Sequence, residues 1–215
     1  MTPGIELPRL CLITDAARLG ADRVLRSIAN AAQAGLRFVQ VREKALPDRE
    51  LVAFSQRCRE VLCAPGILSV NATGRSAETV RACGVGGAHV GGGEATVLVE
   101  LRQSFPPPFA LGFSAHTQAD VVEAARLGAD YVFLSPVFSP NSKTTARASL
   151  GLEGLAVACA GAPIPVYALG GVGPESAYEV RKSGAYGAAV IGAILDAQDP
   201  REATRGLIRG LERPI

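Results

Sequence analysis

Short apolar, β-branched and aromatic runs recur along the chain, and each leads directly into polar residues or glycines. Phe38 and Val39 lead into Q-V-R-E-K (40–44), I-L-S-V (67–70) into Asn71, G-G-A into His89 and the glycines at 91–93, and F-A-L-G-F (109–113) into S-A-H (114–116). Y-V-F-L-S-P-V-F (131–138) runs into S-P-N-S-K, P-I-P-V-Y (163–167) into A-L-G-G-V-G (168–173), and A-Y-G-A-A-V-I-G closes the series at 190–192. Runs of this length bounded by turn residues read as buried strands.

The intervening stretches carry helical spacing. Pro47 and Asp48 open a segment whose Leu51, Val52, Phe54, Cys58, Val61 and Leu62 recur on one helical face. Thr117 before Q-A-D-V-V-E-A-A-R-L reads as an N-cap, and Pro174 after G-G-V-G as a first helical position. A-G-L-R-F (34–38), C-G-V-G-G-A-H (83–89), L-G-A-D-Y (127–131) and S-G-A-Y-G (183–187) share one order: helix, glycine, strand. Glycine there suits the left-handed residue that ends a helix. Repeated α-then-β units imply a parallel sheet covered by helices, with strands starting near residues 10, 38, 67, 88, 109, 131, 165 and 187. An open doubly wound sheet fits the alternation too. Eight strands without a dominant nucleotide fingerprint favour closure into a single-domain (β/α)8 TIM barrel over residues 1–215. Such barrels build their sites at the C-terminal ends of the strands, where the polar residues of this chain fall.

Composition narrows the classes. Twenty-two basic against 20 acidic residues give a net charge of +2, so no nucleic-acid or acidic-membrane surface is expected and any positive field must be local. The 5 cysteines form no C-x-x-C and lie mostly in apolar contexts, which suits a reduced, cytoplasmic interior. No apolar run reaches the roughly 20 residues that span a bilayer, and residues 1–10 lack a signal-peptide pattern. Oligomeric state is not legible, and a homo-oligomer is compatible with everything above.

Candidate chemistry concentrates at the strand ends. Alternation in Q-V-R-E-K places Gln40, Arg42 and Lys44 on one side and Val41 and Glu43 on the other, an arrangement suited to a polyanion; the competing explanation is a solvated run of surface ion pairs. Gly170, Gly171, Ile191 and Gly192 could present free amides to a phosphate after the seventh and eighth strands, or simply make tight turns. Of the two histidines, His89 reads as packed in the barrel top, whereas His116 is equally suited to acid–base work. Lys143, in a polar loop over 139–150 expected to be mobile, could close on a diphosphate, and Asn71 with Glu94 could share Mg²⁺ with substrate oxygens. Nothing suggests zinc, a Walker loop or a Ser-His-Asp triad.

C-L-I-T-D (11–15), Q-V-R-E-K, Asn71, G-A-H-V-G, G-F-S-A-H-T, G-A-D-Y-V-F-L-S-P-V-F, A-L-G-G-V and A-V-I-G-A-I resemble thiamine phosphate synthase and its relative, thiazole tautomerase, over essentially the whole chain. The resemblance implies a transferase: a hydroxymethylpyrimidine diphosphate loses pyrophosphate and its carbon is captured by the nitrogen of a thiazole phosphate. It implies pyrimidine-diphosphate contacts at Gln40, Arg42, Lys44, Asn71, Ser114, Ser142 and Lys143, and thiazole-phosphate contacts at Gly170, Gly171, Ile191 and Gly192. Three departures stand out: Ala72 where the family has a metal-binding aspartate, Glu94 where it has a second, and Pro140 and Ser142 where it has threonines. The lost carboxylate implies weakened Mg²⁺ binding. The tautomerase branch needs no metal and would move its proton with His116. A barrel that binds thiazole or thiamine phosphate without turnover is the third expectation.

Overall fold

A computed structural model describes residues 6–62, 65–139 and 148–215. In chain order the elements are β1 (Leu10–Ile13), α1 (Ala16–Leu19), α2 (Ala21–Gln33), β2 (Phe38–Val41), α3 (Asp48–Leu62), β3 (Ile67–Asn71), α4 (Ala77–Ala82), β4 (Gly87–Val90) and α5 (Ala95–Ser104). They continue with β5 (Ala110–Ala115), α6 (Gln118–Arg126), β6 (Tyr131–Leu134), α7 (Gly151–Cys159), β7 (Val166–Leu169), α8 (Ala177–Lys182), β8 (Gly187–Val190), α9 (Gly192–Leu195) and α10 (Pro200–Glu212). The eight strands pair in parallel and in sequence order, and β8 closes on β1, so the barrel is the expected one and not an open sheet. Each strand begins within one residue of its expected start.

The sorting of side chains follows strand parity. Leu10 and Leu12 pack outward against the helices, while Cys11 and Ile13 join Phe38, Ala110, Tyr131, Phe133, Tyr167 and Ala189 inside the barrel. Large rings from β2, β6 and β7 cross the interior edge-on, with Phe38 and Tyr131 at 5.5 Å and Phe133 and Tyr167 at 5.7 Å between centroids. They fit because β5 and β8 supply small residues there, Ala110, Gly112 and Ala189. A Cβ on Gly112 would lie 2.3 Å from Tyr131 Cζ and 2.5 Å from His89 Nδ1.

The repeated helix–glycine–strand order has the expected cause: Gly35, Gly84, Gly128 and Gly184 all take positive φ where a helix gives way to the next strand. Thr117 caps α6 through a capping box with Asp120. Pro174 does not open a helix. Gly173 and Ser176 bond each other in a turn, and α8 starts only at Ala177, because the chain must first climb off the glycine-rich end of β7. Cys11, Cys58, Cys83 and Cys159 are free thiols, and burial pushes Cys58 up to about 12 and Cys159 up to about 11, so neither is a ready nucleophile. No helix among the described residues is long and apolar enough to cross a membrane.

Candidate active site

Strand β2 delivers Q-V-R-E-K to the barrel mouth with the alternation its sequence implies. Gln40 is 1% exposed inside the barrel, with no hydrogen-bond partner on Nε2 among the described residues, and Val41 packs in the outer layer. Arg42 and Lys44 emerge exposed. Neither forms an ion pair among the described residues, so a run of surface salt bridges is not what the mouth contains. Two such cations beside one amide are an arrangement suited to a polyanion.

The histidines divide as their settings dictate. His89 is 2% exposed, stacks on Phe133 at 4.3 Å and places Nε2 3.0 Å from Ser114 Oγ. Burial first, and the nearby Arg42 charge second, push its pKa down to about 3, so the ring is neutral and packed. His116 sits one strand end further on, with Nδ1 2.6 Å from the Ser135 carbonyl oxygen. A carbonyl only accepts, so Nδ1 carries a proton and Nε2 is the ring position left for proton exchange. That nitrogen faces the glycines after β4: a Cβ on Gly92 would lie 3.6 Å from it.

After β7 the glycines are required by shape. Gly170 and Gly171 have φ of 102° and 63°, and a Cβ on Gly171 would lie 2.7 Å from Phe138 Cβ. The stretch after β6 is laced to them, Val137 N–H donating to Leu169 O at 2.9 Å and Phe138 N–H to Gly170 O at 3.0 Å. The N–H groups of Gly170, Gly171 and Gly192 have no acceptor among the described residues. Because α8 starts late, the amides after β7 owe nothing to a helix dipole; those after β8 open α9 directly behind Ile191.

At the neighbouring strand ends lie Asn71, 8% exposed at the end of β3, and Glu94, whose Oε2 is buried without a partner among the described residues, ahead of α5. Ala72 is fully buried in the outer layer. No cluster of three or more His, Cys, Asp or Glu side chains suited to a metal occurs among the described residues. Ser142 and Lys143, with the rest of 140–147, lie outside the described residues. A concavity of about 600 Å³ opens at the other end of the barrel, beside Leu7, Arg9, Arg37 and Ile208. Its arginines are already committed, Arg9 to Tyr186 O and Arg37 to Ala32 O and Leu36 O, and it holds none of the strand-end chemistry.

Residues 10–194 match the model of a family described as thiamine monophosphate synthase. The chain belongs to that family. A thiamine-phosphate synthase of Albidiferax ferrireducens is 36% identical over 197 residues, covering 91% of this chain and 88% of its own. One from Methanoculleus marisnigri is 35% identical over 199 residues, covering 92% of each. The solved thiamine phosphate pyrophosphorylase of Pyrococcus furiosus superposes with a TM-score of 0.81 at 28% identity over 95% of both chains. 3-Hexulose-6-phosphate synthase, at 19% identity and a TM-score of 0.74, shares the fold.

Within this thiamine monophosphate synthase family member, residues of no evident chemistry in the sequence prove to shape the site. Glu43, on the outward parity, is 4% exposed and accepts from Thr14 Oγ1 at 2.6 Å, Ala16 N–H at 2.8 Å and Ala17 N–H at 3.2 Å. Arg75 reaches across from the β3–α4 turn to Asp48 and to the carbonyl of Leu46. The one sequence signal that could have found Glu43 is its parity, a carboxylate on the same side of the strand as the apolar Val41.

Proposed function

We propose that this chain is a thiamine-phosphate synthase, joining hydroxymethylpyrimidine diphosphate to thiazole phosphate with release of pyrophosphate. The observation that carries the reading is the pair of cations, Arg42 and Lys44, at the end of β2, without ion-pair partners among the described residues, across β1 from the Gly192 amide at the end of β8, which has no acceptor among them. The cations suit a diphosphate and the amide a phosphate monoester.

The reaction asks for charge more than for proton transfer. The carbon–oxygen bond to the diphosphate breaks and its electron pair departs on pyrophosphate; the thiazole nitrogen's lone pair then forms the new carbon–nitrogen bond. Arg42 and Lys44 stabilise the negative charge that grows on the leaving group, and Gln40, buried with Nε2 unpartnered, offers the pyrimidine a donor. Neutral His89 holds Ser114 at the site's edge. Glu94 and Asn71 are the groups that would hold Mg²⁺, one carboxylate and one amide oxygen, a set that suits an ion taking its remaining ligands from diphosphate; when bound it would supply further positive charge to the leaving group. The free thiols and the balanced charge suit a cytoplasmic enzyme with small phosphorylated substrates, and size-exclusion chromatography distinguishes monomer from homo-oligomer.

Incubation with both substrates and Mg²⁺, with chromatographic assay of thiamine phosphate and pyrophosphate, tests the reading. Product that is lost in Arg42→Ala and in Lys143→Ala supports it; full activity in those variants refutes the leaving-group assignment. One observation favours a second reading: His116, with Nδ1 held on Ser135 O and Nε2 free to accept a proton, suits a thiazole tautomerase. That reading requires EDTA-insensitive isomerisation that disappears in His116→Ala. Sustained turnover of either kind excludes a pure binding protein.

A further inference from the structure

The turn that carries Arg42 and Lys44 has little structure of its own. Between the end of β2 and the start of α3 its internal bonds include Leu46 N–H to Glu43 O at 3.2 Å. Two adjacent like charges on such a turn would repel and swing apart. The turn is instead gripped on both flanks by residues that do not face the mouth.

On the β1 side, Thr14 is completely buried, and its hydroxyl accepts from Arg42 N–H at 2.9 Å while donating to Glu43 Oε1 at 2.6 Å. The same carboxylate takes the Ala16 and Ala17 amides, so Glu43 is saturated by donors and forms no ion pair with its neighbours in sequence. Arg42 and Lys44 therefore keep their charge free although a carboxylate sits between them in the chain. On the β3 side, Arg75 Nη2 donates to Leu46 O at 2.6 Å and lies 3.3 Å from Lys44 O, while Nη1 pairs with Asp48. Asp48 also accepts from Thr79 Oγ1 at 2.5 Å, and that bond, followed by Arg75, holds its carboxyl below the usual carboxylate range. Arg75 is presented by its own N–H bond to Ala72 O at 3.0 Å, in the A-T-G-R stretch.

We propose that Glu43 and Arg75 are positioning residues for diphosphate: Glu43 sets Arg42 through Thr14, and Arg75 sets Lys44 through the turn's carbonyls. The proposal rests on the assignment of Arg42 and Lys44 to the diphosphate. It adds that the cradle is held in shape by residues that do not touch the ligand.

Titration calorimetry with inorganic pyrophosphate, in EDTA, is the test, applied to the full chain and to Glu43→Gln, Arg75→Gln, Arg42→Ala and the double variant Glu43→Gln/Arg42→Ala. Each positioning variant is expected to bind pyrophosphate about tenfold more weakly, the scale of one misplaced charge-assisted hydrogen bond. The Michaelis constant for thiazole phosphate should stay within twofold, which a general loss of fold would not allow. The double variant should be no weaker than Arg42→Ala alone, because Glu43 acts through Arg42. Additive losses, or unchanged affinity in Glu43→Gln and Arg75→Gln while Arg42→Ala loses binding, would overturn the positioning role and leave the functional reading standing. Pyrophosphate binding indifferent to Arg42→Ala would overturn both. Should Glu43→Gln fail to fold, Arg75→Gln, on the opposite flank, decides alone.

Discussion

Lowering the pH from 7 to 5 should destabilise this protein measurably through a single buried ring. His89 is packed against Phe133 and Gly112 inside the barrel, and its pKa falls from 6.5 to about 3. A group with a depressed folded pKa that is cationic when unfolded binds more protons in the unfolded chain, so its contribution to stability is complete above pH 6.5 and declines as the pH falls toward 3. The loss is about 0.8 kcal/mol at pH 6 and about 2 kcal/mol at pH 5, set almost entirely by the unfolded ring because the folded one remains neutral throughout. Above pH 5 the carboxylates contribute little, since those with shifted values, Asp48, Glu123 and Glu202, are all lowered and lose their stabilisation only in stronger acid. Urea midpoints for the full chain and for His89→Gln, taken at pH 7, 6 and 5 with constant slope, isolate the ring. Whatever its stability at pH 7, the variant should lose about 2 kcal/mol less than the full chain over this range. Parallel curves would refute the claim that His89 is held neutral by burial.

Two further outcomes follow from the geometry. Gly171→Ala places a Cβ 2.7 Å from Phe138 Cβ at a φ of 63°, and should cost about 1 to 3 kcal/mol while raising the Michaelis constant for thiazole phosphate; an unchanged melting temperature would show that the turn relaxes freely. Asp130→Ala leaves Arg102 and the Leu111 amide without their shared carboxylate, and should destabilise the chain by about 3 kcal/mol by chemical denaturation; a loss under 1 kcal/mol would show that water replaces it.

Much of the molecule is legible in one dimension. Apolar runs of strand length, separated by helical spacing and joined through glycine, admit few parallel folds, and the number of runs selected the closed barrel. Strand parity then settled which residues of Q-V-R-E-K face the mouth, because successive side chains in a strand point to opposite faces. Local punctuation was less certain. Thr117 capped its helix as expected, whereas Pro174 fell in a turn, because a proline that suits a first helical position suits a turn equally well.

The sequence by itself determined the barrel, the polar ends of its strands and the sign of the charge at the end of β2. Tertiary structure alone decided which of those charges are free. Glu43 lies between Arg42 and Lys44 in the chain on the opposite parity, and the fold supplies what holds it there, Thr14 and the first amides of α1. Arg75, more than 30 residues downstream of Arg42, closes the other flank. Periodicity reports which way a side chain points. It does not report what waits there, because hydrogen-bond partners across a closed sheet are set by register between strands that are distant in sequence.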